Sequence, residues 1–363
     1  MHDSPLAELH RASGAKIEPY FGVLLPAQFG DPVAEQRIAR HAAALIDTNF
    51  RAVFSLSGAD RVRYLNAVTT GNVRELAPGH GNIGLLLSAQ GHMLAELETL
   101  ALEDRLILLG HELVREQTFA TLDKFIIMDD ATLADETAET GTLAIEGPAA
   151  PAIVRELAGV DILALPLRGH AAAAVKAASG EISCRVIRHS LFAFPGAEFL
   201  VRREALAALW AVLEAAVRAR GGAPIGYRAL NALRLEAGIA WFGSDFDQRQ
   251  IPHEAALEST HISFTKGCYT GQEIVERVRS RGHVNRRLTG LAFDSAAPPE
   301  PDSKLLADGA EVGNVTSAAF SALRGQAIGL GYVRREHGAP GTILRCGESA
   351  AKIIELPLAG ALP

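Results

Sequence analysis

Past Gly290 the chain changes character, and this change constrains the fold more than any other feature. The run Ala296-Ala297-Pro298-Pro299-Glu300-Pro301 reads as a linker or turn. Beyond it come short β-like runs cut by Gly309, Gly313, Gly325, Gly329, Gly331, Gly338 and Gly341. Such spacing predicts an all-β unit, a small barrel over 286–363. The chain has 363 residues, 48% of them hydrophobic. A single core rarely grows past roughly 250–300 residues, so 1–285 is expected to build cores of its own.

Within 1–285 the order of strands and helices predicts an α+β class with antiparallel sheets. Asp31 as N-cap and Pro32 in the first turn open a helix over 33–45, followed by a strand over 46–56. Ser57 and Asp60 have capping-box spacing ahead of Val62, Leu65 and Val68, which recur at helical intervals. Residues 82–88 and 93–102 read as strands joined by the turn Ala89-Gln90-Gly91-His92, with a third strand at 105–109. A helix is predicted over 113–125, a short strand over 143–145, and a hairpin from 182–189 and 198–201. The best-defined helix spans 203–220, because Leu206, Leu209, Trp210, Leu213 and Val217 form one apolar stripe and Gly221-Gly222 ends it. Residues 227–237 predict another.

Forty-two acids against 35 bases give a net charge of -7. That balance argues against a nucleic-acid or anionic-membrane surface spread over the molecule, though a local basic patch is compatible with it. The N-terminus lacks a signal peptide's basic and apolar regions, and no run approaches the ~20 apolar residues that span a bilayer. The expected location is the cytoplasm, with no membrane partner. Three cysteines, with no Cys-x-x-Cys or Cys/His cluster, predict thiols and no metal site. Cys184, in an apolar run, and Cys346, beside Gly347, read as structural.

The most distinctive segment is Lys266-Gly267-Cys268-Tyr269-Thr270-Gly271-Gln272-Glu273. An isolated cysteine is more often a small core residue, but these polar flanks make burial without function less attractive. The glycines permit unusual backbone angles, while Lys266 and the turn's N–H groups favour negative charge on the thiol. Gln272 and Glu273 are placed to orient a ligand or to cap the turn. The segment resembles the signature of the YgfZ proteins and of their mitochondrial iron–sulfur assembly relatives. Gly58-Ala59-Asp60, Tyr64-Leu65-Asn66, Gly79 and Gly91 resemble the opening of the wider family that includes the glycine-cleavage T-protein. Leu233-Arg234-Leu235-Glu236-Ala237-Gly238, Gly243-Ser244-Asp245 and Pro252-His253-Glu254 follow its middle. The resemblance implies two intertwined α+β folate-binding units followed by a C-terminal β-barrel, arranged around a central channel. It also implies tetrahydrofolate, or a one-carbon derivative, as the ligand.

A folate presents a flat pterin edge with N–H donors and an anionic glutamate tail, so a carboxylate and an Arg or Lys are the residues to seek. Glu198 resembles the family's pterin-binding acid; the alternative is an edge-strand carboxylate facing water. Arg234 matches the Arg of the family's Leu-Arg-x-Glu-x-Gly run; the alternative is an exposed helix charge. Tyr64, Asn66 and Asn82 are weaker pocket candidates. Where the T-protein has paired aspartates, this chain has Ala95 and Glu96. One acid is lost and the other carries an extra methylene, a misplacement that can cost roughly 100-fold in a positioned reaction. Glu96 either touches the folate or is only a strand carboxylate.

Arg277, Arg279, Arg281, Arg286 and Arg287 lack interleaved aromatics. Their alternation suggests a solvated strand face or a rim for the folate tail and disfavours nucleic acid. The reading that follows is a tetrahydrofolate-binding accessory protein for assembly or repair of iron–sulfur clusters, with Cys268 reactive and Lys266 beside it. Its partners would be iron–sulfur client or assembly proteins. The alternative is a folate-dependent one-carbon transferase of aminomethyl or methyl groups.

Overall fold

The computed structural model describes residues 1–358 and 360. Two antiparallel-rich sheets share the first part of the chain, and their strands interleave in sequence. The six-stranded sheet contains Ala44–Asp47, leaves the chain for a long excursion, and resumes with Thr140–Glu146, His170–Ala177, Gly180–Arg188 and Gly196–Arg202. The excursion builds the five-stranded sheet from Arg51–Ser57, Gly81–Leu87, Met93–Ala101, Leu106–His111 and Thr132–Asp135. The single strand expected over 46–56 is therefore two strands in different sheets. The break has a local cause: the Asp47 carboxylate accepts from the Asn49 N–H at 2.9 Å and from the Asn49 side chain at 2.6 Å, an Asx-type turn.

Each sheet buries both faces. Leu206–Arg218 lays its apolar stripe, with Trp210, on Leu143, Ile145, Phe199 and Val201. The opposite face receives Tyr227–Glu236, a helix buried nearly all round. In the five-stranded sheet, Phe54, Leu97 and Leu108 pack under Tyr64, Leu65 and Val68 of the helix Arg61–Val68. That helix starts at Arg61 because the Asp60 carboxylate accepts from the Asp130 N–H at 2.9 Å instead of closing a capping box. The sheets meet through Val53, Leu100, Ile107 and Leu109 against Ile187 and Leu200.

Six strands from Arg286–Phe293 to Ser349–Ile354 close a barrel, as the glycine-rich tail predicts. Residues 359 and 361–363 of the expected 286–363 span lie outside the described residues. Of the basic run after the signature, Arg277, Arg279 and Arg281 lie on a helix, Gln272–Arg281, and not on a strand face, while Arg286 and Arg287 open a barrel strand. Glu273 pairs with Arg277 four residues on, and Val275 supplies the buried side, so the helical spacing of four outweighs the alternation of Arg277 and Arg279.

Arg234, a candidate for the folate pocket or an exposed helix charge in the sequence, instead locks the barrel to the body. Its fully buried guanidinium donates to Asp245 Oδ2 at 2.5 Å, to Ser317 Oγ of the barrel at 2.6 Å and to the Ile239 carbonyl at 2.8 Å, and lies over the Trp241 ring at 4.5 Å. Ser317 in turn donates to Asp245 Oδ1 at 2.5 Å. Truncation strands a buried carboxylate, so Arg234→Ala should lose about 3–5 kcal/mol of stability. Chemical denaturation of the two proteins checks this; an unchanged midpoint would contradict the lock.

Candidate functional site

Where the two sheets and the barrel meet lies a cavity of about 1060 Å³. Pockets that enclose small ligands run to roughly 300–1,000 Å³, so this one holds a folate-sized molecule. Phe50, Trp241 and Phe242 supply flat apolar wall, and Glu96 and Glu98 face inward from the strand Met93–Ala101. On a strand, residues two apart share a face, which is why both acids reach one cavity.

The floor is a buried charge cluster. Arg51 Nε and one terminal nitrogen donate to Glu198 Oε1 at 3.1 Å and Oε2 at 3.0 Å; that same nitrogen donates to Glu98 Oε1 at 2.9 Å. Arg168 donates to Glu98 Oε2 at 3.1 Å, and His189 Nε2 lies 2.9 Å from Glu98 Oε1. Burial disfavours charge on every member. The surrounding His189, Arg51 and Arg168 nonetheless hold Glu98 well below the usual carboxylate range, and Glu98 raises His189 against its own desolvation. Glu96 is bracketed by His261 Nε2 at 2.9 Å and His111 Nε2 at 3.3 Å. Burial again opposes its charge, but the two imidazoles win and its pKa lies below the ordinary value.

The loop Ser190–Pro195, which closes one side, is organised by Glu146. This carboxylate accepts from the Leu191, Phe192 and Phe194 N–H groups at 2.5, 3.0 and 2.9 Å and from Ser190 Oγ at 2.8 Å. Burial still leaves its pKa raised. Gly196 follows because a Cβ there would stand 2.9 Å from the His189 and Ile145 carbonyl oxygens.

The GCVT N-terminal domain matches residues 6–266, and the glycine cleavage T-protein C-terminal barrel domain matches residues 286–358. The chain belongs to the GCVT family. The aminomethyltransferase of Chlorobium chlorochromatii is 30% identical over 346 residues, covering 94% of this chain and 93% of that one. That of Symbiobacterium thermophilum is 28% identical, covering 98% of this chain and 96% of its own. The crystal structure of glycine cleavage system aminomethyltransferase T from Bartonella henselae superposes with a TM-score of 0.87, at 23% identity, over 98% of this chain and 97% of that chain. Aminomethyltransferases of the GCVT family use tetrahydrofolate as one-carbon acceptor. The cavity here fits that group: its aromatic wall suits a pterin, and its two carboxylates suit N–H donors.

Of the residues singled out in the sequence as site candidates, Glu96 and Arg287 line this cavity. Glu198 lies on an interior strand, not an edge, is fully buried, and gives both oxygens to Arg51. It supports the wall from behind. Arg234 is consumed by Asp245 and Ser317 as described. Tyr64 donates to the Leu122 carbonyl inside the core. The Asn66 side chain accepts from the N–H groups of Val73 at 3.0 Å and Arg74 at 3.3 Å, and Asn82 donates to the Asn72 carbonyl at 2.8 Å. These are loop ties and not ligand contacts. Arg51, Glu98, Arg168, His189, His111, His261 and Trp241 were missed, although Glu96 and Glu98 two apart on an expected strand marked the acidic face.

The signature lies outside the cavity. The Lys266 ammonium donates to the carbonyls of Asn66 at 2.6 Å, Gly71 at 2.8 Å and Thr69, capping the helix Arg61–Val68. Burial and Arg74 push its pKa down to about 8. It therefore serves three carbonyls and not the neighbouring sulfur. Tyr269 is buried among Leu85, Leu87, Met93 and Val275. Gly271, at φ +82, sits where a Cβ would meet the Ser88 carbonyl at 2.6 Å. Gln272 begins a helix, and Glu273 beside it is exposed. The effect of these anchors is to present Cys268 to solvent.

The charge cluster sets an acid limit. Glu96 and Glu98 are depressed in the folded state, so their stabilisation is present above the unfolded value of about 4.3 and is lost as pH falls below it. His189 is raised, so its contribution is present below about pH 6.5 and is lost as pH rises through its folded value. Unfolding midpoints of wild type and Glu98→Gln against pH should show a shallower acid limb in the variant; parallel limbs would contradict the assignment.

Proposed function

We propose that the protein is a tetrahydrofolate-binding accessory factor of the YgfZ kind, acting in assembly or repair of iron–sulfur clusters in client enzymes. The observation that carries this reading is the separation of two features. A folate-sized cavity lies inside, while an anchored turn holds Cys268 on the outside. An exposed sulfur is accessible to a macromolecular partner, whereas a thiol used on folate would have to face the cavity. Within the cavity Glu96 and Glu98 accept from the pterin edge, Trp241 covers its face, and Arg287 at the wall suits the glutamate carboxylates. Tetrahydrofolate supplies one-carbon chemistry when bound; the residues bind it, orient it and exclude water.

Glu96 bears on whether the carbon unit is transferred. Both of its oxygens are held by imidazoles, and its chain neighbour Ala95 carries no acid. That supports a binding role. The second reading, a one-carbon transferase, is favoured by the shared scaffold and by relatives that are aminomethyltransferases. Turnover assays with reduced folate and aminomethyl or methyl donors separate the two, multiple turnover favouring the transferase. The working location is the cytoplasm; among the described residues no helix is long and apolar enough to cross a membrane.

Titration with tetrahydrofolate should perturb Trp241 fluorescence, and Glu96→Ala should weaken binding by about tenfold, the worth of a hydrogen bond to a charged group. Equal affinities would remove Glu96 from the binding surface. In cells lacking the native protein, Cys268→Ala should leave iron–sulfur enzyme activities low while the purified variant binds folate normally. Normal client activities would end the thiol role.

A further inference from the structure

Thr260, His261 and Glu96 line the central cavity together, joined in a hydrogen-bonded chain that binding a folate does not require. The Thr260 hydroxyl lies 2.7 Å from His261 Nδ1, and His261 Nε2 lies 2.9 Å from Glu96 Oε1. Chemistry sets the direction of both hydrogen bonds. An ionised carboxylate only accepts, so His261 Nε2 carries a proton and donates it to Glu96. In a neutral ring Nδ1 is then the acceptor, and the Thr260 hydroxyl donates to it. The chain is held rigidly. Glu96 is fixed on its other oxygen by His111 Nε2 at 3.3 Å. The His261 N–H donates to the Leu257 carbonyl at 2.9 Å, and the His261 carbonyl accepts from the Thr70 hydroxyl at 2.6 Å. Thr260 is exposed at the edge of the cavity, whereas His261 behind it is buried.

A hydroxyl, an imidazole that takes its proton and a carboxylate that orients the imidazole are the parts of a nucleophile for acyl transfer. Among the one-carbon units that a reduced folate carries, the formyl group is the acyl one. We propose that this chain hydrolyses an N-formyl tetrahydrofolate in the central cavity to tetrahydrofolate and formate. The inference rests on the folate reading above and adds an activity to it. Thr260 Oγ1 bonds to the formyl carbon while its proton moves to His261 Nδ1. The carbon–nitrogen bond then breaks, the nitrogen takes that proton, and tetrahydrofolate leaves a formyl ester on Thr260. Water reaches the ester from the exposed edge once the folate has gone. It gives a proton to His261 and bonds to the ester carbon; the Thr260 oxygen departs with the proton from His261, and formic acid leaves and ionises. No oxidant or reductant is consumed. Thr260 and His261 are the catalytic residues, and Glu96 positions the imidazole.

The test incubates the whole protein with the N5- and N10-formyl derivatives of tetrahydrofolate and measures formate, with tetrahydrofolate binding followed by Trp241 fluorescence. Wild type should release formate over many turnovers. Thr260→Val and His261→Gln should each slow release by about 100-fold, the worth of a positioned proton-transfer group, and Thr260→Ser should restore most of it. Glu96→Gln should lower kcat by about 100-fold but raise KM by no more than about tenfold, because it acts through His261. Absence of formate from wild type that binds tetrahydrofolate, or release that Thr260→Val retains, overturns the proposal and leaves the folate reading intact. Failure of wild type to bind tetrahydrofolate at all overturns both.

Discussion

One guanidinium joins the two halves of the body. Arg51 sits on the five-stranded sheet and grips Glu198 of the six-stranded sheet with two hydrogen bonds, while it also reaches Glu98 of its own sheet. Buried ions cost several kcal/mol each to desolvate, and a cluster is tolerated only where every charge is answered. Here Glu98 is answered by Arg51, Arg168 and His189, and Glu198 by Arg51. An apolar replacement of similar volume could hold the sheets together as well. It could not present fixed carboxylates to a cavity, and that points to the cluster serving the site.

The molecule then divides its chemistry between inside and outside. The cavity wall draws on both sheets, the loop ordered by Glu146, and barrel strands brought close by the Arg234–Asp245–Ser317 lock. The signature draws on none of these. Lys266 answers the carbonyls at a helix end, Tyr269 fills a core, and Gly271 lets the turn approach the hairpin near Ser88. Its chemistry is architectural everywhere except at Cys268. A thiol carried on such an anchored turn has a fixed direction without a buried partner.

Local rules made much of the fold legible. The 82–102 hairpin, the Leu206–Arg218 stripe and the barrel each follow from turn residues or periodicity that act within a few positions. The helix at Gln272–Arg281 is hidden because Arg277 and Arg279 alternate as on a strand, whereas the four-residue spacings Glu273–Arg277 and Arg277–Arg281 are helical. The site was less legible for a physical reason. Whether a charge is exposed depends on partners far along the chain: Arg51 meets Glu198, and Arg234 meets Ser317. Sequence shows the charge, and only the fold shows what neutralises it. Glu96 lines the cavity from a strand that local turn residues already mark.

Folate bound inside, with the sulfur standing apart from it, leaves a signature in the backbone. Amide hydrogen exchange of the protein with and without tetrahydrofolate tests this most directly. Added protection is expected in the strand Met93–Ala101 and in the 190–196 segment, with the 266–271 turn unaffected. Protection confined to the 266–271 turn would contradict it.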